Sequence, residues 1–357
     1  MAATSQTVTY STIAAIALEK LSDKIADAIS TGNAAFYFMK KRGNWEGVAS
    51  GGRQLRKSVL YSLQTVRPLG SFGTVNVNPV DSHTSTYWDW VQSAVPVSFS
   101  DLEEFQTSGE EAIKSIVQAK FQQAKASLDD FFSRSLLRGQ GDIDTTSLTT
   151  AITSPVDGST FIEPLPNLIR YDPTASATIG GVNQNTNTWW RNQLKASSAS
   201  TLAAFLGELR TLHILCQRGG GGKDKSPDFN LVDESTYNSY ERALALQHRN
   251  PDYNKADIPY ENIIFKGSPV VADELMPDVY TGSTTLTKGT WFMCNSAFMG
   301  FSYDKSKSFK LGPQIRPNNQ LVTTSLMPVR GALWTNNRRK LGVMGNIDTS
   351  TLLAATS

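Results

Sequence analysis

The longest regular alternation of apolar and polar positions in the chain runs from Ser108 to Gly139. Its apolar residues recur at spacings of three and four, which predicts a single amphipathic helix over residues 108–138, the spine helix. The apolar positions are Ile113, Ile116, Val117, Phe121, Ala124, Leu128, Phe131, Phe132 and Leu136. Ser108 and Glu111 have the spacing of a capping box, and Gly139 is the residue type expected just after a helix ends. A helix about 45 Å long needs other elements packed along its apolar face.

A weaker helical pattern occupies residues 11–30 near the start of the chain. Its apolar positions are Ile13, Ile16, Leu18, Leu21, Ile25 and Ile29. Five charged residues interrupt the segment, so it has neither the apolar run of a signal peptide nor that of a membrane span. The pattern predicts an amphipathic arm that needs a partner surface.

Two segments with period-two alternation, 53–64 and 87–99, flank a stretch rich in Gly, Pro, Ser, Thr and Asn. The alternation predicts two strands, and the intervening composition predicts an exposed connection over residues 65–86. Together they indicate a long, projecting hairpin. Because neither face of the hairpin is strongly apolar, we expect it to lie on another molecule. The alternative is a disordered surface loop.

Residues 142–200 read as strands and turns with one distinctive cluster. Gly180 and Gly181 precede Trp189, Trp190 and Arg191. On a strand, adjacent tryptophans point to opposite faces, so at least one is expected to be buried while the other can stack on Arg191. Plain packing and a platform for a carbohydrate or a base are the two interpretations.

The remaining pattern mixes helices and strands. It predicts a helix at 201–218, a strand at 229–232, a helix at 236–248, strands within 262–304 and a pair of strands within 319–346. Asp233 or Ser235 caps the second of these helices. The four glycines at 219–222 precede a lysine, but the spacing of a phosphate loop is absent, so they predict a flexible connection. The fold class is therefore α+β.

Composition narrows the function. Lys plus Arg number 34 and Asp plus Glu 32, so the net charge of +2 argues against a surface built wholly to hold nucleic acid. Cys216 and Cys294 have no metal or redox spacing and indicate a reducing compartment. The three histidines stand apart, and no hydrolase elbow, zinc-protease or dinucleotide motif occurs. We expect no catalytic residue, no metal and no cofactor, which favours an assembly protein over an enzyme.

The order of these elements resembles the major capsid protein of tailed bacteriophages, with the Hong Kong 97-like fold. The hairpin segments RQLRKSVLY and YWDWVQSAVPVSF and the spine TSGEEAIKSIVQAKFQQAKASLDDFFSRSLLRG carry the resemblance. The segments FKGSPVVADELMP and TWFMCNSAFMGFSYD, and the basic pair Arg338 and Arg339, occupy the later positions.

The resemblance implies four parts of the chain. They are an N-terminal arm at 1–48, an extended loop at 49–98, a peripheral domain at 99–200 and 319–345 that contains the spine helix, and an axial domain at 201–318 and 346–357.

Contacts between subunits follow from this assignment, because an arm and a hairpin that cannot bury themselves can lie on neighbouring copies. The basic residues of the hairpin are expected to meet acidic residues at the start of a neighbour's spine helix. The basic set is Arg53, Arg56, Lys57 and Arg67, and the acidic set is Glu103, Glu104, Glu110 and Glu111.

The implied function is an icosahedral shell of pentamers and hexamers that encloses a double-stranded DNA genome, in the virion, after assembly in the cytoplasm of a bacterial host. The implied partners are further copies of the chain, a separate scaffolding protein, a portal and a decoration protein, with DNA only in non-specific proximity and no membrane. Two alternatives remain: an encapsulin-like compartment, and a glycan-binding tail component that uses Trp88, Trp90, Trp189 and Trp190.

Overall fold

The computed structural model describes residues 33–48, 52–63, 66, 68, 69, 71, 74, 81–102, 110–137, 162–218, 224–245, 263–276, 289–310 and 312–354, with only the backbone for 110–118. The α-helices are α1 (Ala34–Lys41), α2 (Glu110–Leu137), α3 (Leu165–Leu168), α4 (Leu202–Gln217), α5 (Glu234–Ala245) and α6 (Thr349–Ala354). The strands are β1 (Trp45–Val48), β2 (Gln54–Leu60), β3 (His83–Asp89), β4 (Val91–Ser100), β5 (Thr178–Ile179), β6 (Val182–Asn183), β7 (Gln193–Ala196), β8 (Phe229–Val232), β9 (Ile263–Phe265), β10 (Ser268–Ala272), β11 (Gly289–Cys294), β12 (Met299–Asp304), β13 (Val322–Thr335) and β14 (Gly342–Ile347). The fold is α+β, as the sequence predicts.

A four-stranded sheet in the order β1-β12-β13-β4 forms one half of the body. Strand β13 runs antiparallel to β4 from Val322, opposite Ser100, to Gly331, opposite Val91. The odd-numbered positions Val97 and Phe99 are buried, whereas the even-numbered positions between them and Val91 face outward. One face of the sheet is therefore apolar and needs a cover.

The spine helix α2 supplies that cover. Of the predicted apolar positions whose side chains are described, five are buried at spacings of three and four, namely Phe121, Ala124, Leu128, Phe132 and Leu136, whereas Phe131 is half-buried. The ring of Phe132 lies edge-on to Phe36 of α1 at 6.0 Å and to Phe301 of β12 at 5.9 Å. The helical prediction is confirmed between Glu110 and Leu137.

A six-stranded sheet in the order β7-β14-β11-β8-β10-β9 forms the other half. Every residue of its central strands β8 and β11 is buried. Alternate residues explain this: Val232 and Trp291 pack into a core shared with α4 and α5, while Leu231 and Phe292 pack into the core that also contains the spine helix. The sheet is thus covered on both faces, and its second core is continuous with that of the four-stranded sheet.

The local predictions for this half are confirmed. The side chain of Thr201 accepts a hydrogen bond from the amide of Ala204 at 3.3 Å and caps α4. For α5, Asp233 is the cap, because its carboxylate accepts from the amide of Thr236 at 3.0 Å. Strand β8 has the predicted bounds, 229–232.

The two closing strands are present but do not pair with each other. Strand β13 belongs to the four-stranded sheet and β14 to the six-stranded sheet, with the predicted basic turn between them. The chain makes the opposite crossing between β11 and β12. The prediction that the two strands within 319–346 pair with each other was therefore wrong. Strand β13 pairs with β12 and β4, and β14 pairs with β7 and β11.

The predicted return strand of the hairpin, 87–99, is divided. Residues 83–89 pair with β2, and residues 91–100 pair with β13. The buried positions change from even numbers, at Thr86 and Trp88, to odd numbers from Val91 onward. A strand with one buried face cannot make that change without a break, and the break falls at Trp90.

The tryptophan pair also differs from its predicted strand. Residues Thr188–Trp190 form one turn of 3-10 helix. Trp190 is fully buried, which confirms that at least one of the pair packs inside. Trp189 stacks on Tyr61 at 5.1 Å between ring centroids, while Arg191 donates to the carbonyl oxygens of Gln184 and Asn185.

Several predictions fall outside the described residues. They are the amphipathic segment 11–30, the glycine run 219–222, and the capping residues Ser108 and Gly139 of the spine helix.

The packing of Phe132 predicts a large loss of stability on its truncation. We expect Phe132→Ala to lower the free energy of unfolding by about 3–5 kcal/mol, because a cavity remains where three aromatic neighbours met. Urea unfolding of the subunit would measure this. Gln122→Ala, at an exposed position of the same helix, is the control, and an equal loss in both variants would contradict the assigned core face.

Candidate assembly surface

The hairpin has the most exposed apolar side chains of the described surface. Strands β2 and β3 pair from Gln54, opposite Asp89, to Leu60, opposite His83. From the last residue of the ladder onward, apolar residues recur at every third position and are solvent-exposed: Leu60 at 55%, Leu63 at 78%, Val66 at 90% and Leu69 at 53%. We call these four residues the tip set. Such a set in a folded chain indicates contact with another molecule.

The four-stranded sheet carries a second group of exposed apolar residues. Leu326 on β13 is 44% exposed, on the face opposite the spine helix. Ile315, which pairs with Thr324, is also exposed. Leu102 and Leu321 lie at the adjoining end of the sheet, where the Asp101 amide donates to the Leu321 carbonyl. This end of the sheet is a second candidate contact surface.

The predicted basic residues of the hairpin have different environments. Arg53 is exposed. The guanidinium of Arg56 donates to the Tyr87 hydroxyl at 2.7 Å and lies over the Tyr87 ring. Lys57 is half-buried within its own chain. Its ammonium lies 3.0 Å from the Glu46 carboxylate and 3.7 Å from the centroid of the Trp334 ring.

The structure describes no side chain of the predicted acidic set. Glu110 and Glu111 begin the spine helix, whose backbone alone is described there. Arg67, Glu103 and Glu104 lie outside the described residues. The pairing between the basic and acidic sets joins two chains and stays a prediction.

A contact that sequence reasoning missed joins the hairpin to residues 178–190. The Tyr87 amide donates to the Gly180 carbonyl at 3.0 Å. Trp88 is buried, and Tyr61 at the end of the ladder stacks on Trp189. The double glycine was the available signal, since two consecutive glycines mark a turn of restricted type.

Arg338, one of the basic pair that carries the resemblance, is fully buried. Its guanidinium donates to the Leu168 carbonyl at 2.7 Å, the Trp190 carbonyl at 3.3 Å, the Gln184 side chain at 3.1 Å and the Asn192 side chain at 3.1 Å. A buried cation requires such satisfaction of its donors. The arrangement is structural, since these oxygens belong to the segment that folds around it.

Glu163 is the titrating group of this region. Burial of its carboxyl raises the pKa of Glu163 to about 7, with the hydrogen bond from Asn167 and the charges of Arg338 and Arg170 acting in the opposite direction. The charge of Asp89, on the hairpin strand β3, adds to the increase. The residue as a whole is half-buried, so it is the carboxyl group that lies inside.

His213 and the two cysteines, which are residue types often used in catalysis, are packed as core residues. Burial, with the charge of Lys266 nearby, lowers the pKa of His213 to about 4, and its ring lies edge-on to Phe265. Burial raises the pKa of the Cys216 thiol to about 12. Within the described residues, no three His, Cys, Asp or Glu side chains converge in a set that could hold a metal ion.

The tryptophans do not form an exposed platform. Trp88 and Trp190 are buried, and the Trp190 indole donates to the Ile179 carbonyl at 2.9 Å. Trp189 is covered on one face by Tyr61. Flat exposed rings are what a sugar would stack on, so this geometry disfavours the glycan-binding alternative.

Among the helices of the described ranges, none is both long and apolar enough to cross a membrane.

The sequence matches no protein-family model, and no curated protein matches it. Solved structures do match. The capsid of cyanophage A-1(L) is similar with a TM-score of 0.59 and 14% identity, over 87% of this chain and 92% of that chain. The capsid of a native GTA particle gives a TM-score of 0.51 and 8% identity, over 87% and 90% of the two chains. The holo-SrpI encapsulin complex of Synechococcus elongatus PCC 7942 gives a TM-score of 0.48 and 10% identity, over 88% and 89%.

The two similarities with TM-scores above 0.5 and the arrangement of the two sheets define the class of fold. The chain has the Hong Kong 97-like fold, in which tailed-phage capsid proteins are built. The spine helix and the hairpin that the sequence predicts are both present in it.

The buried carboxyl of Glu163 predicts a pH-dependent stability. A pKa raised on folding means that the folded state favours the protonated acid, so stability falls as pH rises from about 4.5 towards 7. We expect the free energy of unfolding to decrease between pH 5 and pH 8 by up to about 3 kcal/mol from this group. Glu163→Gln should remove that part of the decrease in urea unfolding experiments, whereas Glu241→Gln, at an exposed position, should retain it. Identical pH profiles for the wild type and Glu163→Gln would show that this carboxyl is not responsible.

Proposed function

We propose that the chain is a major capsid protein, which self-assembles through pentamers and hexamers into an icosahedral shell around a phage double-stranded DNA genome. The observation that carries this proposal is the similarity to the cyanophage A-1(L) capsid, with a TM-score of 0.59 over 87% of this chain and 92% of that chain. Both chains are covered almost completely, so the similarity extends beyond one shared motif.

The surface supports the same proposal on physical grounds. The tip set is exposed on the hairpin, and a separate exposed apolar group surrounds Leu321 and Leu326. Two different patches on one chain suit a heterologous contact, in which one patch of each copy meets the other patch of the next. Contacts of this kind close into rings, which can assemble further into a shell.

The role we propose is structural and not enzymatic. His213 and the two cysteines are buried in the core, whereas His83 is exposed on the hairpin strand β3. The net charge of +2 suits a wall that must tolerate packed DNA without gripping it. Assembly would take place in the cytoplasm of the bacterial host and end in the virion, with a scaffolding protein, a portal and a decoration protein as further partners.

The proposed division of the chain has two centres. The peripheral domain is centred on the four-stranded sheet and the spine helix, and the axial domain on the six-stranded sheet with α4 and α5. Within the proposed arm at 1–48, helix α1 and strand β1 pack in the body of the subunit, and within the proposed extended loop at 49–98, residues 91–98 pair with β13. The parts that we propose reach a neighbouring copy are therefore the residues before 33 and the hairpin of β2 and β3.

The proposed bounds do not follow the sheets at every point. Strand β12, within 201–318, lies in the four-stranded sheet, whereas β7 and β14 lie in the six-stranded sheet although the bounds place most of their residues in the peripheral domain.

Shortening the hairpin tests the shell. Tyr61 and Ser82 form a hydrogen-bonded pair, with the Tyr61 amide 3.0 Å from the Ser82 carbonyl, so replacing residues 62–81 by Asn-Gly allows a two-residue turn. We expect a folded subunit whose yield of closed shells falls at least tenfold, measured by sedimentation and electron microscopy. Ser71→Ala, which keeps the tip set, is the control. Normal shells from the shortened chain would refute the hairpin's role, and wild-type protein that forms no rings or shells under any condition would refute the proposed function.

DNA rather than cargo protein inside the particles distinguishes a capsid from a compartment.

Charge reversal tests the predicted contact between subunits. If Arg53 meets an acidic residue at a neighbour's spine start, Arg53→Glu should reduce the shell yield severalfold, and Glu110→Arg in the same chain should restore part of it. Subunit stability should change little because Arg53 is exposed. Lys307→Glu, also at an exposed position, controls for net charge. An Arg53→Glu yield equal to that of the control would show that this pairing does not exist.

A further inference from the structure

The hairpin is held to the body at its base by a small group of contacts that we call the hairpin clamp. On the body the clamp consists of Gly180, Gly181 and Trp189. On the hairpin it consists of Tyr61, Tyr87 and Trp88.

The glycine turn forms one end of the clamp. Gly180 and Gly181 have φ angles of 59° and 79°, in the left-handed region that favours glycine. A Cβ atom on Gly180 would lie 2.9 Å from the Trp88 indole, and one on Gly181 would lie 3.2 Å from the Tyr87 ring. The turn can therefore approach strand β3 closely enough for the Tyr87 amide to donate to the Gly180 carbonyl.

The stack of Tyr61 on Trp189 forms the other end. The two rings are inclined by 23°, with their centroids 5.1 Å apart. Tyr87 lies opposite Arg56, five residues before Tyr61, so the two ends of the clamp are separated by roughly 16 Å along the strand. Two contacts so far apart fix the direction of the hairpin as well as its position.

A contact on a different element supports the hairpin near its middle. The Lys57 ammonium lies over the Trp334 ring of β13 at 3.7 Å and is paired with Glu46 of β1 at 3.0 Å. The body side of the clamp is itself anchored, because the Trp190 indole donates to the Ile179 carbonyl beside the turn and Arg338 donates to the Trp190 carbonyl. The hairpin cannot rotate about its base without breaking several of these contacts.

We infer that the hairpin clamp sets the angle at which each copy reaches its neighbour, and that it thereby sets the curvature of the assembled shell. The inference rests on the proposed function. In a heterologous contact, the rotation between successive copies decides whether and where the assembly closes. Because the hairpin carries the tip set, its direction relative to the body contributes directly to that rotation. The stack of Tyr61 on Trp189 lies at the end of the clamp nearest the tip, so its loss should affect the angle most.

The test compares Tyr61→Ala, which removes the stack, with Tyr61→Phe, which retains an aromatic ring. Spin labels on Leu63→Cys and Arg210→Cys report the distance from the hairpin to helix α4 in the dispersed subunit, and both positions are exposed. The native thiols Cys216 and Cys294 are buried and remain unlabelled. We expect Tyr61→Ala to widen the distribution of label-to-label distances at least twofold. The same substitution in unlabelled protein should give particles of mixed diameter by electron microscopy. Tyr61→Phe should match the wild type in both.

Trp189→Ala removes the same stack from the body side and provides the measurement if Tyr61→Ala fails to fold. An unchanged distance distribution in both alanine variants would overturn the inference. So would a widened distribution in variants whose particles all have the diameter of wild-type particles. Both outcomes leave the proposed function intact, because that function fails only if the wild type forms no rings or shells. Mixed diameters from Tyr61→Phe as well would assign the effect to the hydroxyl group and also overturn the inference.

Discussion

The buried guanidinium of Arg338 is the constraint from which much of this structure follows. A cation removed from water must have its donors satisfied, and here carbonyl and amide oxygens from Leu168, Gln184, Trp190 and Asn192 accept from it. Those acceptors are spread over some twenty-five residues that contain little regular secondary structure. The guanidinium therefore gives that segment a fixed shape, which its own short strands could not provide. The Gly180 turn and Trp189, which contact the hairpin, lie within it.

Arg338 is also connected directly to both sheets. Arg338 lies in the turn that joins β13 of the four-stranded sheet to β14 of the six-stranded sheet, and the chain crosses in the other direction between β11 and β12. One core cluster contains Met327 from the first sheet and Phe292 from the second. The two halves thus share a core as well as two covalent crossings. A body of this kind gives the hairpin clamp a fixed base, so the direction of the hairpin is set relative to both sheets.

Local elements could be predicted from the sequence, whereas their long-range pairing could not. Helix α4, strand β8 and helix α5 follow from apolar periodicity and caps, which depend on neighbours within a few residues. The pairing of β4 with β13 joins residues more than two hundred positions apart, and no local pattern encodes it. The change of the buried positions from even to odd near Trp90 could not be seen in the sequence, because apolar residues occupy both kinds of position there, at Tyr87, Trp88, Trp90 and Val91. The burial of Arg338 could not be predicted, because a basic turn is usually solvated and the oxygens that accept from this guanidinium are distant from it in the sequence.

The tip set shows how a composition typical of loops can conceal an interaction site. The stretch 65–86 after β2 is rich in Gly, Pro, Ser, Thr and Asn, which predicts an exposed connection, and its described residues from 66 to 81 are exposed. Residues 83–86, by contrast, belong to β3, and Thr86 is buried. Yet Leu60, Leu63, Val66 and Leu69 recur at every third position. An ordinary solvated loop gains nothing from such a series, and in a monomer it would add to the risk of aggregation. In an assembly whose copies are held at a fixed angle by the hairpin clamp, the same series presents a regular apolar edge to a neighbour. The tip set would then be buried when the proposed shell assembles, and not when the single chain folds.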